Sequence, residues 1–222
     1  MRVEDLDTLA YRDAWVRQEQ VHADVVRGGD ERILLVEHPP VITCGRRPNV
    51  ANHLRATPEQ LAKLKVEFVE SDRGGDITFH GPGQLVVYPI VRLIDHHLSV
   101  GGYVRLLEQA VIAALGELGI RAQKDECAVG VWARDGAALA KICALGVRVR
   151  RGVTMHGVAL NVTTDLSYFD LIVPCGLSGR PVTSIRKLLG EDAPSMEQVK
   201  PTLVRHLLDA IGSAVDAAPM SP

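Results

Sequence analysis

The sequence lacks an excess of either charge. Its 222 residues set 25 Lys and Arg against 27 Asp and Glu, for a formal net charge of −2. That excludes the global basic field of a nucleic-acid binder, so no nucleic-acid partner is expected. It also lacks any run of the roughly 18–20 apolar residues that a membrane helix needs, and no membrane partner is expected. No apolar stretch follows Met1-Arg2-Val3-Glu4-Asp5, so no secretory signal is expected there and the expected location is cytoplasmic. The four cysteines, Cys44, Cys127, Cys143 and Cys175, show no Cys-x-x-Cys spacing and read as reduced thiols. The histidines are scattered or adjacent, as in His96-His97, without ligand spacing to the cysteines, so no metal site is expected. There is no Walker loop and no G-x-G-x-x-G opening a helix, so no nucleotide cofactor is expected.

What is present is apolar material, 46% of the chain, enough to bury a core at a length that suits one domain. Positions 9–27 carry Leu9, Trp15, Val21 and Val25 at helical spacing, and Gly28-Gly29-Asp30 ends the pattern. Short strands are expected at 33–36, 41–44 and 66–69, with a helix over 58–64 capped by Thr57. Runs at 77–79 and 85–88 flank Gly81-Pro82-Gly83, and a second long helix over 101–118 stops at Gly119. Strands over 129–134 and 137–145 are separated by Asp135-Gly136, a hairpin signal, and 146–151, 153–156 and 158–162 continue the sheet. Positions 165–179 are irregular. Helices follow over 184–189 and 197–211, the second containing Pro201 and able to form a small appended subdomain. The expectation is an α/β (α+β) fold with a central mixed, largely antiparallel sheet and flanking helices, one catalytic domain over 1–216 and a disordered tail over 217–222. Strands and helices do not alternate regularly, which argues against a doubly wound parallel sheet.

Three segments could carry chemistry. Cys175 lies between Pro174 and Gly176, at a chain turn that can expose sulfur; on local grounds it reads as a nucleophile or as a small apolar filler. A thiol nucleophile needs a cation or base to make thiolate, and the candidates are Lys141, His80 and His156. Lys141 stands in the otherwise apolar run Leu139-Ala140-Lys141-Ile142-Cys143-Ala144-Leu145, facing either solvent or a site where desolvation would suit it to proton transfer. Cys143, two residues on, would share its face of a strand and could sit in the same site. Each histidine ends a strand beside glycine and reads as a site residue or as a hydrogen-bonded structural one. Glycines 74, 75, 81 and 83 in the segment from Arg73 to Gln84 let backbone approach an extended, uncharged ligand closely. A hairpin turn would explain Gly81-Pro82-Gly83 but not Arg73-Gly74-Gly75.

Taken together, Arg73-Gly74-Gly75-Asp76-Ile77-Thr78-Phe79-His80-Gly81-Pro82-Gly83-Gln84, Lys141-Ile142-Cys143-Ala144-Leu145-Gly146, His156-Gly157-Val158-Ala159-Leu160-Asn161-Val162 and Pro174-Cys175-Gly176 resemble the octanoyltransferases of lipoate biosynthesis. The segment from Glu37 to Arg46 is similar too, so the resemblance covers about positions 30 to 190. It implies the fold of lipoate and biotin protein ligases. It implies transfer of an octanoyl group from octanoyl-acyl carrier protein to an enzyme cysteine, then to the lysine of lipoyl domains, by ping-pong chemistry without ATP. The acceptors implied are the E2 subunits of 2-oxoacid dehydrogenases and the glycine cleavage H protein. Carried onto this chain, Cys175 is the nucleophile and Lys141 the acid/base. Residues Arg73, Gly74, Gly75, Asp76, Ile77, Thr78, Phe79 and His80, then Ala144, Leu145 and Gly146, then His156, Gly157, Val158 and Ala159, line the substrate site. Phe79, Ala144 and Val158 stand where the family is expected to vary. Arg46, Arg47, Arg148, Arg150 and Arg151 could supply docking charge for acidic partners or form a solvated strand face. The rivals are an ATP-dependent ligase of the same fold, which needs no cysteine, a non-catalytic binder of acyl chains or lipoyl domains, and a cysteine hydrolase.

Overall fold

The computed structural model describes residues 1–48, 50–173 and 180–216. Its centre is a seven-stranded sheet in the order β1 (Arg2–Thr8), β2 (Arg32–Glu37), β6 (Gln84–Ile90), β10 (Val153–Asn161), β9 (Ala138–Arg150), β8 (Val131–Asp135) and β7 (Ala122–Lys124). Only β1 and β2 run parallel in it; the other pairs are antiparallel. A second sheet sets β3 (Val41–Cys44) between β4 (Glu67–Glu70) and β5 (Thr78–His80). The mixed, largely antiparallel sheet expected from the sequence is present.

Strands β6 and β10 are buried along their whole length because both sheet faces are covered, which is why they read as near-continuous apolar runs. On one face lies α1 (Tyr11–Val26), whose buried Ala14, Gln18, Val21 and Val25 form an i, i+3/i+4 stripe. It packs on Leu34, Val36, Val86 and Tyr88. On the other face lie α3 (Val100–Glu117) and α5 (Met196–Asp216). Val199, Leu203, Leu207 and Ile211 of α5 join Leu107, Val111 and Leu115 of α3 in one buried cluster. So α5 is part of the main core rather than an appended subdomain. Pro201 falls in its second turn. The short α4 (Ile185–Leu189) is capped by Ser184. For α2 (Pro58–Leu64), Thr57 and Gln60 form the reciprocal capping box.

Two turns differ from expectation. The strands flanking Gly81-Pro82-Gly83 are not a hairpin, because β5 pairs with β3 in the small sheet and β6 with β2 and β10 in the large one. The chain changes sheets there and encloses a space between them. Strand β9 is one continuous element of 13 residues, joined to β10 through Arg151 and Gly152, both at positive φ (51° and 76°) as a type I′ turn requires. β1 had no strand signal, since Glu4, Asp5 and Asp7 break any apolar run. As an edge strand it is mostly exposed, and its charges disfavour pairing with another chain.

Candidate active site

A cavity of about 130 Å³ lies between the sheets. Its floor begins at a break in the large sheet. β10 pairs with β6 only as far as Val158 opposite Val87. Two residues on comes Pro89, which has no N–H to give to the ladder. The amide of His156 turns instead to Gln18 Oε1 on α1, 2.8 Å away. His156 takes φ +57°, uncommon for a residue with a side chain. Gly157 fills the break, because a Cβ there would lie 2.3 Å from the Val87 carbonyl oxygen. The left-handed φ swings the His156 ring to the α1 side, where Nε2 meets Asp72 Oδ1 at 2.8 Å.

Lys141 is re-aimed by a different device. β8 and β9 pair Val131 with Cys143 but Trp132 with Lys141, so Ile142 is the extra residue of a β-bulge. The bulge separates two residues that a regular strand would place on one face. Lys141 lines the cavity, whereas Cys143 is fully buried in the main core, its thiol pushed up to about 12 by that burial. Cys143 is therefore not a site residue. Lys141 is 7% exposed. Its Nζ donates to the Val129 carbonyl at 3.1 Å and lies 4.8 Å from the Trp132 ring centre. Gly130, at φ +137°, leaves room for it: a Cβ there would come within 3.0 Å of Lys141 Cε. Gly130 is anchored from behind by its N–H to Glu108 Oε1 at 3.0 Å.

The Lys141 backbone holds the chain after residue 179. Its N–H donates to the Pro181 carbonyl, and its carbonyl accepts from Thr183, both at 2.9 Å. Before residue 174, the Val173 N–H donates to the His53 carbonyl at 2.7 Å. Cys175, with residues 174–179, lies outside the described residues.

The Arg73 guanidinium is buried and donates to Thr43 Oγ1, the Thr43 carbonyl and the Gly74 carbonyl. Gly74 donates to the Val147 carbonyl at 2.9 Å, and a Cβ on Gly146 would lie 2.8 Å from the Gly74 carbonyl. The glycines that no hairpin explains thus join the two sheets backbone to backbone.

Three histidines in this region are buried and neutral. His38 Nδ1–H donates to the Leu9 carbonyl at 2.7 Å, and its Nε2 accepts from the Tyr88 hydroxyl at 2.8 Å; burial holds it down to about 4. His80 Nδ1–H donates to Gln84 Oε1 at 2.7 Å, and burial, with His38 and Arg73 nearby, pushes it well below the usual range. His156 faces Asp72, which would favour the charged ring, but Asp72 is shared with Arg148. Burial, with Arg73 and Arg148, pushes His156 down to about 3. Neither His80 nor His156 can then supply an imidazolium to a thiol at neutral pH.

Of the residues singled out in the sequence, Arg73, Gly75, Asp76, Ile77, Thr78, His80, Lys141, Ala144, Leu145, Gly146, His156, Gly157, Val158 and Ala159 converge on the cavity. Gly74 sits behind it. Phe79 turns away and stacks on Tyr168 at 4.7 Å in the core of the small sheet. Arg148 is engaged with Asp72, and Arg47 reaches the cavity wall. The sequence reading missed Tyr11, Tyr88, Val129, Phe169 and Val182 as lining residues. They come from elements remote in the chain, and no local pattern marks them. Among the described residues no group of three His, Cys, Asp or Glu could hold a metal ion, and no helix is long and apolar enough to cross a membrane.

Residues 10–208 match the family of the lipoyl protein ligase A/B catalytic domain. The chain is 48% identical to an octanoyltransferase of Chloroflexus aurantiacus over 93% of its own length and 92% of that protein. It is 45% identical to an octanoyltransferase of Bacteroides thetaiotaomicron over 90% of each. Among solved structures it superposes on a lipoate-protein ligase A bound with ATP at TM-score 0.77 and 17% identity, covering 95% of this chain and 85% of that one. For the biotin protein ligase of Aquifex aeolicus the TM-score is 0.55 at 10% identity, covering 98% and 72%; both likenesses concern the fold. On the sequence matches, the chain belongs to the lipoyl protein ligase A/B catalytic-domain family and, within it, to the octanoyltransferases.

Proposed function

We propose that residues 1–216 act as one catalytic domain that transfers an octanoyl group, through a thioester on Cys175, from octanoyl-acyl carrier protein to a lysine of lipoyl domains. The observation that carries this reading is the position of Lys141. Its amine stands in a cavity walled by Val86, Ala144, Val158 and Ala159, and its backbone holds Pro181 and Thr183, close in sequence to Cys175. Burying the alkyl chain along that wall would contribute about 5 kcal/mol, at roughly 0.8 kcal/mol per methylene.

In the first half-reaction Lys141 accepts the Cys175 proton. The thiolate attacks the donor thioester carbonyl, and collapse of the tetrahedral intermediate expels the pantetheine thiolate, which takes the proton back. In the second, the neutral amine of the acceptor lysine attacks the acyl-cysteine. The amide forms, the C–S bond breaks, and the amine proton passes through Lys141 to the leaving sulfur. Thioester to thioester is nearly isoenergetic and thioester to amide is downhill, so no nucleotide is required. The acceptors are lipoyl domains of 2-oxoacid dehydrogenase E2 subunits and the glycine cleavage H protein. Arg46, Arg47, Arg150 and Arg151 supply docking charge, and the reaction is cytoplasmic.

Intact-mass spectrometry after incubation with octanoyl-acyl carrier protein, without ATP, tests the mechanism. The expected product is one octanoyl adduct, absent in Cys175→Ser. No adduct on the wild type, an adduct that requires ATP, or one that persists in the variant would sink it.

A further inference from the structure

Asp76 is the only acidic side chain among the described residues that line the cavity, where Arg47, Arg73 and Lys141 are the basic ones. It is 6% exposed. A carboxylate taken out of water normally has its oxygens satisfied. Here both donors fall on one oxygen. Oδ1 accepts the Ile77 N–H at 2.7 Å and the His53 Nδ1–H at 2.7 Å. These two bonds fix the plane of the group. Oδ2 accepts no hydrogen bond among the described residues, and the nearest cation, Arg47, is 3.9 Å away on a side chain 60% exposed. The cavity thus holds an oriented carboxylate with one oxygen left to take a donor.

We infer that Asp76 binds the ammonium of the acceptor lysine as it enters the cavity, before the amine is deprotonated for attack. This rests on the acyltransferase reading above and assigns one substrate to one group. The donor side of the reaction brings an uncharged thioester. The acceptor side brings a primary amine that is ammonium at neutral pH. A cavity lined by the guanidinium groups of Arg47 and Arg73 disfavours such a guest unless a carboxylate offsets them. Asp76 is a binding and positioning residue for the second half-reaction: Lys141 takes the ammonium proton and gives it to the leaving sulfur, and the second proton, lost from nitrogen as the amide forms, passes through Lys141 to solvent.

The test separates the halves. Asp76→Asn keeps Oδ1 as an acceptor for Ile77 and removes the charge. Acyl loading from octanoyl-acyl carrier protein is expected within about twofold of wild type, while transfer to a lipoyl domain at neutral pH falls roughly 10- to 100-fold, the range of a lost charged hydrogen bond. Discharge of the acyl-enzyme by hydroxylamine, largely uncharged at that pH, is expected to be unchanged. Asp76→Glu, which keeps the charge, recovers part of the lysine transfer. Equal losses with lysine and hydroxylamine would make Asp76 structural, and a loading defect would assign Oδ2 to the donor; either overturns the inference. If Asp76→Asn does not fold, Asp76→Glu and inhibition of wild-type transfer by a simple alkylammonium decide it: inhibition of transfer without inhibition of loading is expected, and inhibition of both or neither overturns it. A wild type that never forms an adduct would instead remove the acyltransferase reading itself.

Discussion

The two walls of the cavity hold their titratable groups in opposite ways. On the wall formed by α1, β5 and β6, His80 is a neutral ring with both nitrogens engaged, between Gln84 and Thr43, and His38 behind it is a neutral ring held between a backbone carbonyl and Tyr88. On the wall formed by β9 and residues 125–130, Lys141 is aimed by a bulge, donates to a carbonyl and faces a tryptophan ring. The histidines of the first wall are neutral, and its cation, Arg73, is bound to Thr43 and to the Gly74 carbonyl. The second presents the primary amine of Lys141. The lesson is that exposure to the cavity does not make a titratable group a catalyst. What its polar atoms are bound to decides what it can do.

The largest test removes the amine. Lys141→Ala is expected to slow acyl loading by about 10²- to 10⁴-fold, the usual worth of a positioned acid/base, measured as the rate of adduct formation. The thiol's alkylation profile is expected to move to higher pH. Loading at the wild-type rate would transfer the proton chemistry to the other wall and end the contrast.

The histidine wall is broken by acid. His38 and His156 have folded-state values depressed to about 4 and about 3, below an unfolded value near 6.5. Between those values the unfolded chain binds protons that the native chain does not. Stability therefore falls as pH drops from about 6.5 toward 4, by up to about 1.4 kcal/mol per pH unit for each histidine. Denaturant midpoints taken at steps across that window should show the slope, and His38→Gln should reduce it. A flat profile would mean that these rings are already charged in the native state.

Gly130 sharpens the Lys141 side. An alanine there must hold φ +137° and push against Lys141 Cε and the Cys143 carbonyl, each 3.0 Å from its Cβ. The expected outcome is a loss of about 1–3 kcal/mol in stability and a turnover reduced about tenfold by displacement of the amine. If thermal melting shifts but turnover does not, Lys141 needs less exact support than this geometry implies.

How much of this was legible in the sequence follows the same division. The strands β6 and β10, the helices α1 and α3 and the cap of α2 were visible because apolar periodicity and capping residues are local. The residues of Arg73 to His80, Lys141 and His156 to Ala159 were visible through resemblance to a family. What escaped depended on partners far along the chain. The sheet break needs Pro89 set against His156, and the bulge at Ile142 needs β8 in register with β9. Glu108 reaches Gly130 from a helix, and Tyr11 and Tyr88 meet His38 only in the fold. Strand parity puts Cys143 on the same face as Lys141, and the bulge at Ile142 breaks that parity.

Phe79 gives the smallest and most discriminating test. Motif position puts it with the substrate residues, between Thr78 and His80, which both line the cavity. The strand alternates, however, and Phe79 points to the other side, 1% exposed and packed against Tyr168 and Phe169. Phe79→Leu keeps an apolar side chain of similar volume and loses a stacked aromatic pair, so it should cost about 1 kcal/mol in stability. Acyl loading should stay at the wild-type rate. The route to a different result is short, because Phe169 touches Phe79 and lines the cavity. A loading defect as large as that of Gly130→Ala would therefore mean that the core of the small sheet sets the shape of the acyl wall through Phe169.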